Sequence, residues 1–541
     1  MGIRMGCSCT LAALALMAAP QAHAKNYLVI IADDVAVDKV GSYAADYPGY
    51  APSYLPDTQT IDSLAAAGVR FTRAWATPLC SPTRAAFQTG LQPYRTGIGT
   101  ALGDGAPGVD TSSPLMIAKS FAARGYTTGL FGKYHIGTKD RSGVTGVPRD
   151  VHHDLAATFT TEPHPSLAGW DRFFGGYDGE PDTSASEDSG YFQWIRVGWL
   201  KASTGHVAVE TTHATERVES EALSWINTRT QPWLAVVAFN AAHSSSGAAG
   251  NWDYDAVIPP AGSSASAAEY RTPALACLAS GNCTDRKRQV YQALVEDMDT
   301  KIQTLLDGIH DDILDDTLIV VFGDNGTPGQ HYGAANSVQE SIFDVPDRGK
   351  GTIYENGTRV PLIIADGQRW RTGAVGPTIT APGRTVVARV NTLDLYNTLF
   401  TDAFHASIAN TPTQPFDSMP FNDCFTVNDI YCGYSLRFGY TEMFSSTVSP
   451  PTNPGPTGAA VAVSYGYDTM IATYDAGKSC LQAKFYDTST DPLETVAQIW
   501  KADRVQRLTD HFTGIHTPVT SWAHPSGQPV VSFCSIAVLP P

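Results

Sequence analysis

Four runs of this chain, rich in aliphatic and β-branched residues, each end in a cluster of polar side chains capable of chemistry. Tyr27–Ala32 leads into Asp33 and Asp34, and Thr127–Gly132 leads into Lys133, Tyr134 and His135. Trp233–Phe239 leads into Asn240 and His243, and Thr317–Gly323 into Asp324 and Asn325. Apolar runs without alternation predict strands buried on both faces. Between them lie helical periodicities: Gln59–Ala67, closed by Gly68, and Val290–Ile309, with Leu294, Met298, Ile302 and Leu305 on one face. Alternation of strand and helix predicts an α/β fold, a large, mostly parallel sheet sandwiched by helices. In such sheets ligands gather at the carboxyl ends of the strands, where all four polar clusters fall.

After a helix-like stretch, Asn391–Phe400, the pattern changes to shorter strand-like segments, Phe438–Thr441 and Ala459–Ser464, with a Pro/Gly-rich loop at Ser449–Gly458 between them. The expected organisation is a main α/β domain over 25–429 and a smaller C-terminal α+β subdomain with an antiparallel sheet over 430–541. No internal repeat is visible, and Asp182–Ser189 and Ala261–Ala268 are expected to be surface loops.

The 541 residues are 43% hydrophobic and 16% charged, enough for a sizeable core. Residues 1–24 carry Arg4, an apolar run Leu11–Ala19 and then Ala22-His23-Ala24, which reads as a secretory signal and predicts an exported protein, periplasmic or secreted. That run is too short to span a bilayer, so no membrane span is expected. The formal charge of −17 argues against nucleic acid or an anionic membrane as partner. Of nine cysteines, Cys7 and Cys9 lie in the signal; setting Cys80 aside leaves six. In an exported protein these point to disulfides, and short spacings favour Cys277 with Cys283 and Cys424 with Cys432, leaving Cys480 with Cys534, a pairing that the sequence leaves open. The rival, a metal–thiolate site, has no Cys-x-x-Cys pair to support it.

Cys80-Ser81-Pro82-Thr83-Arg84, running on to Thr89-Gly90, places a thiol at a predicted helix start. Pro82 suits a first helical turn, free N–H groups there attract an anion, and Arg84 adds a fixed positive fork one turn along. Asp33, Asp34, Asp324 and Asn325 offer hard oxygen ligands, which favour calcium, and magnesium less, over zinc. Lys133, His135, His243 and Lys350 are candidates for gripping an anion and moving protons. A lone histidine or lysine is ordinarily only packed or solvated, and one Asp-Asp pair can simply cap a turn; the recurrence at equivalent strand ends gives these residues weight.

Cys-x-Pro-x-Arg followed by Thr-Gly resembles the signature of the type I sulfatases, in the alkaline phosphatase superfamily. Lys350, ahead of Tyr354-Glu355-Asn356-Gly357-Thr358-Arg359-Val360-Pro361, is similar to their second signature. Asp33-Asp34, Gly132-Lys133-Tyr134-His135-Ile136-Gly137, Gly323-Asp324-Asn325-Gly326 and, near the end, Phe485-Tyr486-Asp487 with Asp491-Pro492-Leu493-Glu494 resemble further family segments in the same order. Two departures stand out: Tyr134 replaces the usual tryptophan, and His243 lacks its flanking prolines.

The resemblance implies that Cys80 is oxidised to formylglycine by a formylglycine-generating or sulfatase-maturating enzyme. It implies a calcium ion held by Asp33, Asp34, Asp324, Asn325 and residue 80, and an arylsulfatase-like hydrolysis of small-molecule or glycan sulfate esters. One hydroxyl of the hydrated aldehyde attacks sulfur after losing its proton to Asp324. Lys133 and Arg84 hold charge, His243 and Lys350 assist the leaving alcohol, and His135 deprotonates the second hydroxyl to release sulfate. Two alternatives remain at this stage. One is a phosphonate or phosphate ester hydrolase with the same residue; the other is a sulfated-glycan-binding protein with Cys80 unmodified.

Overall fold

The computed structural model describes residues 24–516, apart from 104–105, 107, 138–164, 177–189, 193, 201–205, 245–258, 261, 271–283, 333–336, 410–415, 427–429, 431, 433–437, 445–459, 466, 476–479 and 500–501. The main sheet contains, in chain order, β1 (Asn26–Ala32), β2 (Val69–Trp75), β3 (Thr127–Gly132), β4 (Arg172–Gly175), β5 (Trp194–Leu200), β6 (His206–Glu210), β7 (Trp233–Ala238), β8 (Thr317–Gly323), β9 (Arg359–Asp366), β10 (Arg384–Val386) and β11 (Val390–Asn391). Their spatial order is β10-β2-β9-β8-β1-β7-β3-β4-β5-β6, with β11 also on β2. The four apolar runs form the central parallel ribbon β8-β1-β7-β3, extended in parallel by β4. β9 runs antiparallel between β8 and β2, and β5 and β6 are antiparallel too, so the sheet is mixed but mostly parallel.

Register matters most for function. Ala32 pairs with Gly323, Ile31 with Ala238 and Gly132 with Ala238. The four strands therefore end level, and the residues that follow them emerge at one edge.

Alternate residues of each central strand face opposite sides. Tyr27, Val29, Ile31, Leu234, Val236, Val320 and Phe322 pack against helices on one side, including Phe87, Phe121 and Leu399. Leu28, Ile30, Ala235, Val237, Ile319 and Val321 pack on the other against Val218, Leu294, Met298, Ile302 and Leu305. The expected helix at Val290–Ile309 starts earlier and ends one residue sooner, at Thr284–Gly308, and its Leu294, Met298, Ile302 and Leu305 are fully buried. Each such side chain contributes about 1.5–3 kcal/mol.

A second, antiparallel sheet is built from β12 (Phe438–Met443), β13 (Ala460–Tyr465), β14 (Asp468–Asp475) and β15 (Cys480–Asp487). Val505 and Leu508 of the helix Ala502–His516 pack on it. β12 docks on the main domain through Thr441 Oγ1, which donates to the Ala76 carbonyl at 3.0 Å.

The helix expected from Asn391 begins instead at Asp394. Val390 and Asn391 are taken by pairing with Ala74 and Trp75, and the Asp394 carboxylate accepts the Asn391 N–H at 3.1 Å. Within the expected loop Ala261–Ala268, residues 265–270 are helical and bury Ser266 and Ala267. Asp182–Ser189 lies outside the described residues. Cys424 and Cys432 are disulfide-bonded as expected; Cys277, Cys283, Cys534 and the side chain of Cys480 lie outside the described residues. Among the described residues no helix is long and apolar enough to cross a membrane.

Candidate active site

Backbone bonds fasten the strand ends together. Asp33 N–H donates to the Ala241 carbonyl (3.0 Å) and the Asp33 carbonyl accepts from Ala242 N–H (2.7 Å), so the turn after β7 is laced to the end of β1. Asp324 N–H donates to Ala32 O and Lys133 N–H to Ala238 O. Asp34 adopts a left-handed φ of 62°, tolerable for an aspartate, and its N–H donates to Asp324 Oδ1 at 3.1 Å. Gly132 has a φ of 97°, and a Cβ there would fall 1.9 Å from the Ala238 carbonyl oxygen. Only glycine lets β3 turn into Lys133 so close to β7.

Cys80 opens the predicted helix, which spans Cys80–Thr89, is buried along its whole length and ends at left-handed Gly90. Thr77 braces its start, donating its N–H to Thr83 Oγ1 (3.0 Å) and its hydroxyl to Leu79 O (3.0 Å). Ser81 Oγ accepts from Leu102 N–H, while the Leu102 carbonyl meets His135 Nε2 at 3.1 Å. One residue thus connects the cysteine helix to His135.

All ten predicted site residues are buried, and the structure brings them to one edge of the sheet. Cys80 Sγ is 3.6 Å from Asp33 Oδ1, and Lys133 Nζ pairs with Asp33 Oδ2. Lys350 Nζ lies 2.6 Å from Asp34 Oδ1, which also accepts from Asn325 Nδ2 at 2.7 Å. Arg84, expected to point its fork at an anion, grips Asp324 Oδ2 with two nitrogens (3.0 and 2.8 Å) and donates a third bond to the Lys133 carbonyl at 2.9 Å. His243 Nε2 stands 3.9 Å from Asp34 Oδ2, and its Nδ1 is 2.6 Å from the Ser244 carbonyl. Ligand atoms of Asp33, Asp34, Cys80 and His243 lie within 4.8 Å of one another. His243 thus stands among these potential ligand atoms, beside the acidic residues expected from the sequence.

Electrostatics follow from burial. Burial pushes Asp33 up, and neighbouring Asp324 adds to the shift against the pull of Lys133 and Arg84. Burial acts the same way on Asp324, but Arg84 and Lys133 outweigh it and hold this carboxyl below its usual range. The Cys80 thiol is pushed far up by burial despite Lys133 and Lys350. His135 is lowered well below the usual histidine value by burial, then by Lys133 and Arg84; His243 likewise by burial, then by Lys350 and Lys133. Both imidazoles are neutral at neutral pH.

Sequence reasoning misses the residues that orient this set from behind. Tyr191 donates its hydroxyl to the His243 carbonyl (2.8 Å), and Tyr291 donates to the Asp34 carbonyl (2.7 Å). Tyr291 lies on the long helix at a position that reads simply as core, and neither tyrosine sits in a motif.

A model of the sulfatase family matches residues 25–403, and the chain belongs to that family. Steryl-sulfatase of Rattus norvegicus is 34% identical over 167 residues, covering 30% of this chain and 25% of that protein. Arylsulfatase H of Homo sapiens is 26% identical over 425 residues, 69% of this chain and 68% of that protein. The chain spans about a quarter of the length of the first curated relatives it matches. Among solved structures, Ps i-CgsB in complex with k-i-k-neocarrahexaose superposes with a TM-score of 0.61 at 20% identity, covering 95% of both chains. The PsFucS1 sulfatase from Pseudoalteromonas sp. does so with a TM-score of 0.57 at 17% identity, over 93% of this chain and 92% of that one. At these identities the likeness is one of fold, a large, mostly parallel sheet between helices of the kind that the strand pattern predicts.

Proposed function

We propose that this chain is an arylsulfatase-like sulfuric ester hydrolase that cleaves sulfate monoesters, with residue 80 converted to formylglycine and calcium held by Asp33, Asp34, Asp324 and Asn325 together with residue 80. One observation carries the reading: Cys80, at a helix start and 3.6 Å from Asp33, is buried among three carboxylates and three cationic side chains at the level ends of four strands. A neutral, buried thiol is a poor nucleophile. An oxygen nucleophile made from it accounts for the surroundings.

The donor set fits a hard cation. Asp34 Oδ2 and Asn325 Oδ1 are buried acceptors with no hydrogen-bond donor among the described residues, and conversion of residue 80 removes the one sulfur, favouring calcium, and magnesium less, over a softer ion. When bound, the ion would supply charge that lowers the pKa of the hydroxyl on residue 80 and screens the approach to an anionic sulfate.

The side chains divide the remaining work. Asp324, kept anionic by Arg84 and Lys133, accepts the proton of the attacking hydroxyl on its carboxylate. Lys133, 100 residues from Asp33 in sequence but paired with it in space, offers its ammonium to sulfate oxygens. Arg84 orients Asp324 and the Lys133 backbone. His243 and Lys350 meet at Asp34, placed to stabilise the departing alcohol oxygen. His135 is neutral and its Nδ1 has no hydrogen-bond partner among the described residues, which suits it to take the second proton from residue 80. The signal-like segment 1–24 and the Cys424–Cys432 disulfide support an exported protein.

Expressed with a formylglycine-generating or sulfatase-maturating enzyme, the peptide Ala74–Arg84 should carry an aldehyde in place of the thiol, read by mass. The protein should hydrolyse 4-nitrophenyl sulfate in preference to 4-nitrophenyl phosphate. An unconverted thiol, or a large preference for phosphate, overturns the reading.

A further inference from the structure

Behind Lys350, away from the reacting groups, lies a second set of charges: the buried Glu355, Glu494 and Arg389, with half-buried Arg348 beside them. Glu494 is fully buried in the turn after β15 and adopts a left-handed φ of 56°. Its Oε2 accepts the N–H of Glu355 at 2.8 Å, across 139 residues of sequence. Its carbonyl accepts from Arg348 Nη2 at 3.1 Å. One residue that follows the second sheet therefore holds the segment 348–355 on either side of Lys350.

The rest of that segment is tied down as well, which makes its position sharp. Lys350 N–H donates to Thr327 O (3.0 Å) and Gly351 N–H to Pro78 O (2.9 Å), joining it to the loop after β8 and to the peptide before Cys80. The Arg348 guanidinium lies 3.3 Å from the Tyr354 ring centroid, and Arg389 Nη2 donates to Glu355 Oε1 at 2.8 Å. Out of this segment Lys350 Nζ reaches Asp34 Oδ1 at 2.6 Å.

A fully buried carboxyl is a costly way to fill space. Its desolvation is offset only by the bonds it makes, and an apolar residue of similar volume would pack at least as well. Among the described residues Glu494 makes one side-chain bond, to the backbone that carries Lys350, while its Oε1 has no partner. Burial and the nearby Glu355 raise its pKa, so the group acts as an oriented acceptor more than as a free charge.

Resting on the sulfatase reading above, we propose that Glu494 is a positioning residue for the reaction: by gripping the 348–355 segment at both ends, it fixes Lys350 Nζ on the leaving-group side of the site. The chain that follows β15 thereby takes part in the chemistry without touching substrate.

The test is kinetic. For wild type, K350A, E494A and E494Q, kcat and KM are measured on phenyl sulfates running from nitro-substituted to unsubstituted, with thermal unfolding recorded for each protein. K350A and E494A should share one signature. Their kcat should fall about tenfold or more on phenyl sulfate but only about threefold on 4-nitrophenyl sulfate, whose phenolate leaves with little help, while KM stays within about twofold. E494Q, which keeps an acceptor oxygen for Glu355 N–H, should stay within about twofold of wild type throughout. An E494A loss that is uniform across the series or absent, or an E494Q as impaired as E494A, overturns the proposal. Should E494A fail to fold, E494D, whose carboxylate stops one methylene short of Glu355, is held to the same signature. A converted wild type that hydrolyses none of the series counts against the sulfatase reading; an active wild type with a flat variant response counts against Glu494 alone.

Discussion

Glu442 offers a quantitative check on the docking of the second sheet against the main domain. It lies on β12, 2% exposed, with Oε1 accepting the Tyr94 N–H at 2.8 Å and Oε2 accepting the Tyr440 hydroxyl at 3.0 Å. Tyr94 belongs to the helical turn Pro93–Thr96 that follows the Cys80 helix, so this carboxyl links the second sheet to the turn just beyond the element that presents residue 80. Burial, reinforced by Asp417 and opposed by its two hydrogen bonds and Arg95, raises its pKa from the ordinary 4.5 to about 8. The folded state then binds more protons than the unfolded state across that window, so stability is greatest below the unfolded value and falls as pH rises through the folded one. The full loss corresponds to roughly 5 kcal/mol.

Glu442→Gln is neutral at every pH and keeps an acceptor for Tyr94 N–H. Urea denaturation of both proteins between pH 5 and pH 9, followed by tryptophan fluorescence, should give stabilities within about 1 kcal/mol of each other at the acid end. At the alkaline end the variant should be the more stable, by up to roughly 5 kcal/mol. Other titrating groups cancel in the difference. Two parallel stability profiles, with no relative gain for the variant on going alkaline, would refute the reasoning, because Glu442 would then ionise at no cost where it sits.

Chelation of divalent cations should abolish sulfate ester hydrolysis and lower the melting temperature, with calcium restoring both; at about a hundredfold above its Kd, calcium should add about 2.7 kcal/mol to stability. Unchanged activity and melting after exhaustive chelation would count against the ligand set. Gly132→Ala should cost about 2 kcal/mol or more in denaturant titration, since its Cβ would meet the Ala238 carbonyl oxygen at 1.9 Å and φ is 97°; a neutral substitution would mean that β3 and β7 are not so closely apposed. Tyr191→Phe removes the hydroxyl that holds the His243 carbonyl. It should lose about 1 kcal/mol of stability and lower kcat several-fold, most on esters with poor leaving groups; wild-type kcat across such a series would show that His243 is held by other means.

Strands β1, β3, β7 and β8 are legible in the residue order because a strand covered on both faces needs no alternation, and the polar cluster after each run marks its carboxyl end. The helix carrying Cys80 and the segment around Lys350 are legible from local motifs, as is each of the ten residues proposed for the site. An apolar run, however, carries no arrow. Val360–Ala365 is as apolar as the parallel strands, yet β9 runs antiparallel between β2 and β8, and only partners distant in sequence decide that. The same holds for Asn391, which the helical pattern claims and strand pairing with Trp75 takes.

Within the site, the residue order determines which groups are present and on which strand ends they sit. The tertiary structure decides what each one faces: Arg84 turned onto Asp324, Lys133 onto Asp33, Lys350 and His243 onto Asp34, with Tyr191, Tyr291 and Glu494 holding them from behind. The reason is physical. Periodicity and turn chemistry act over a few residues, whereas the pairing of buried charges depends on sheet register and on close packing between segments far apart in the chain.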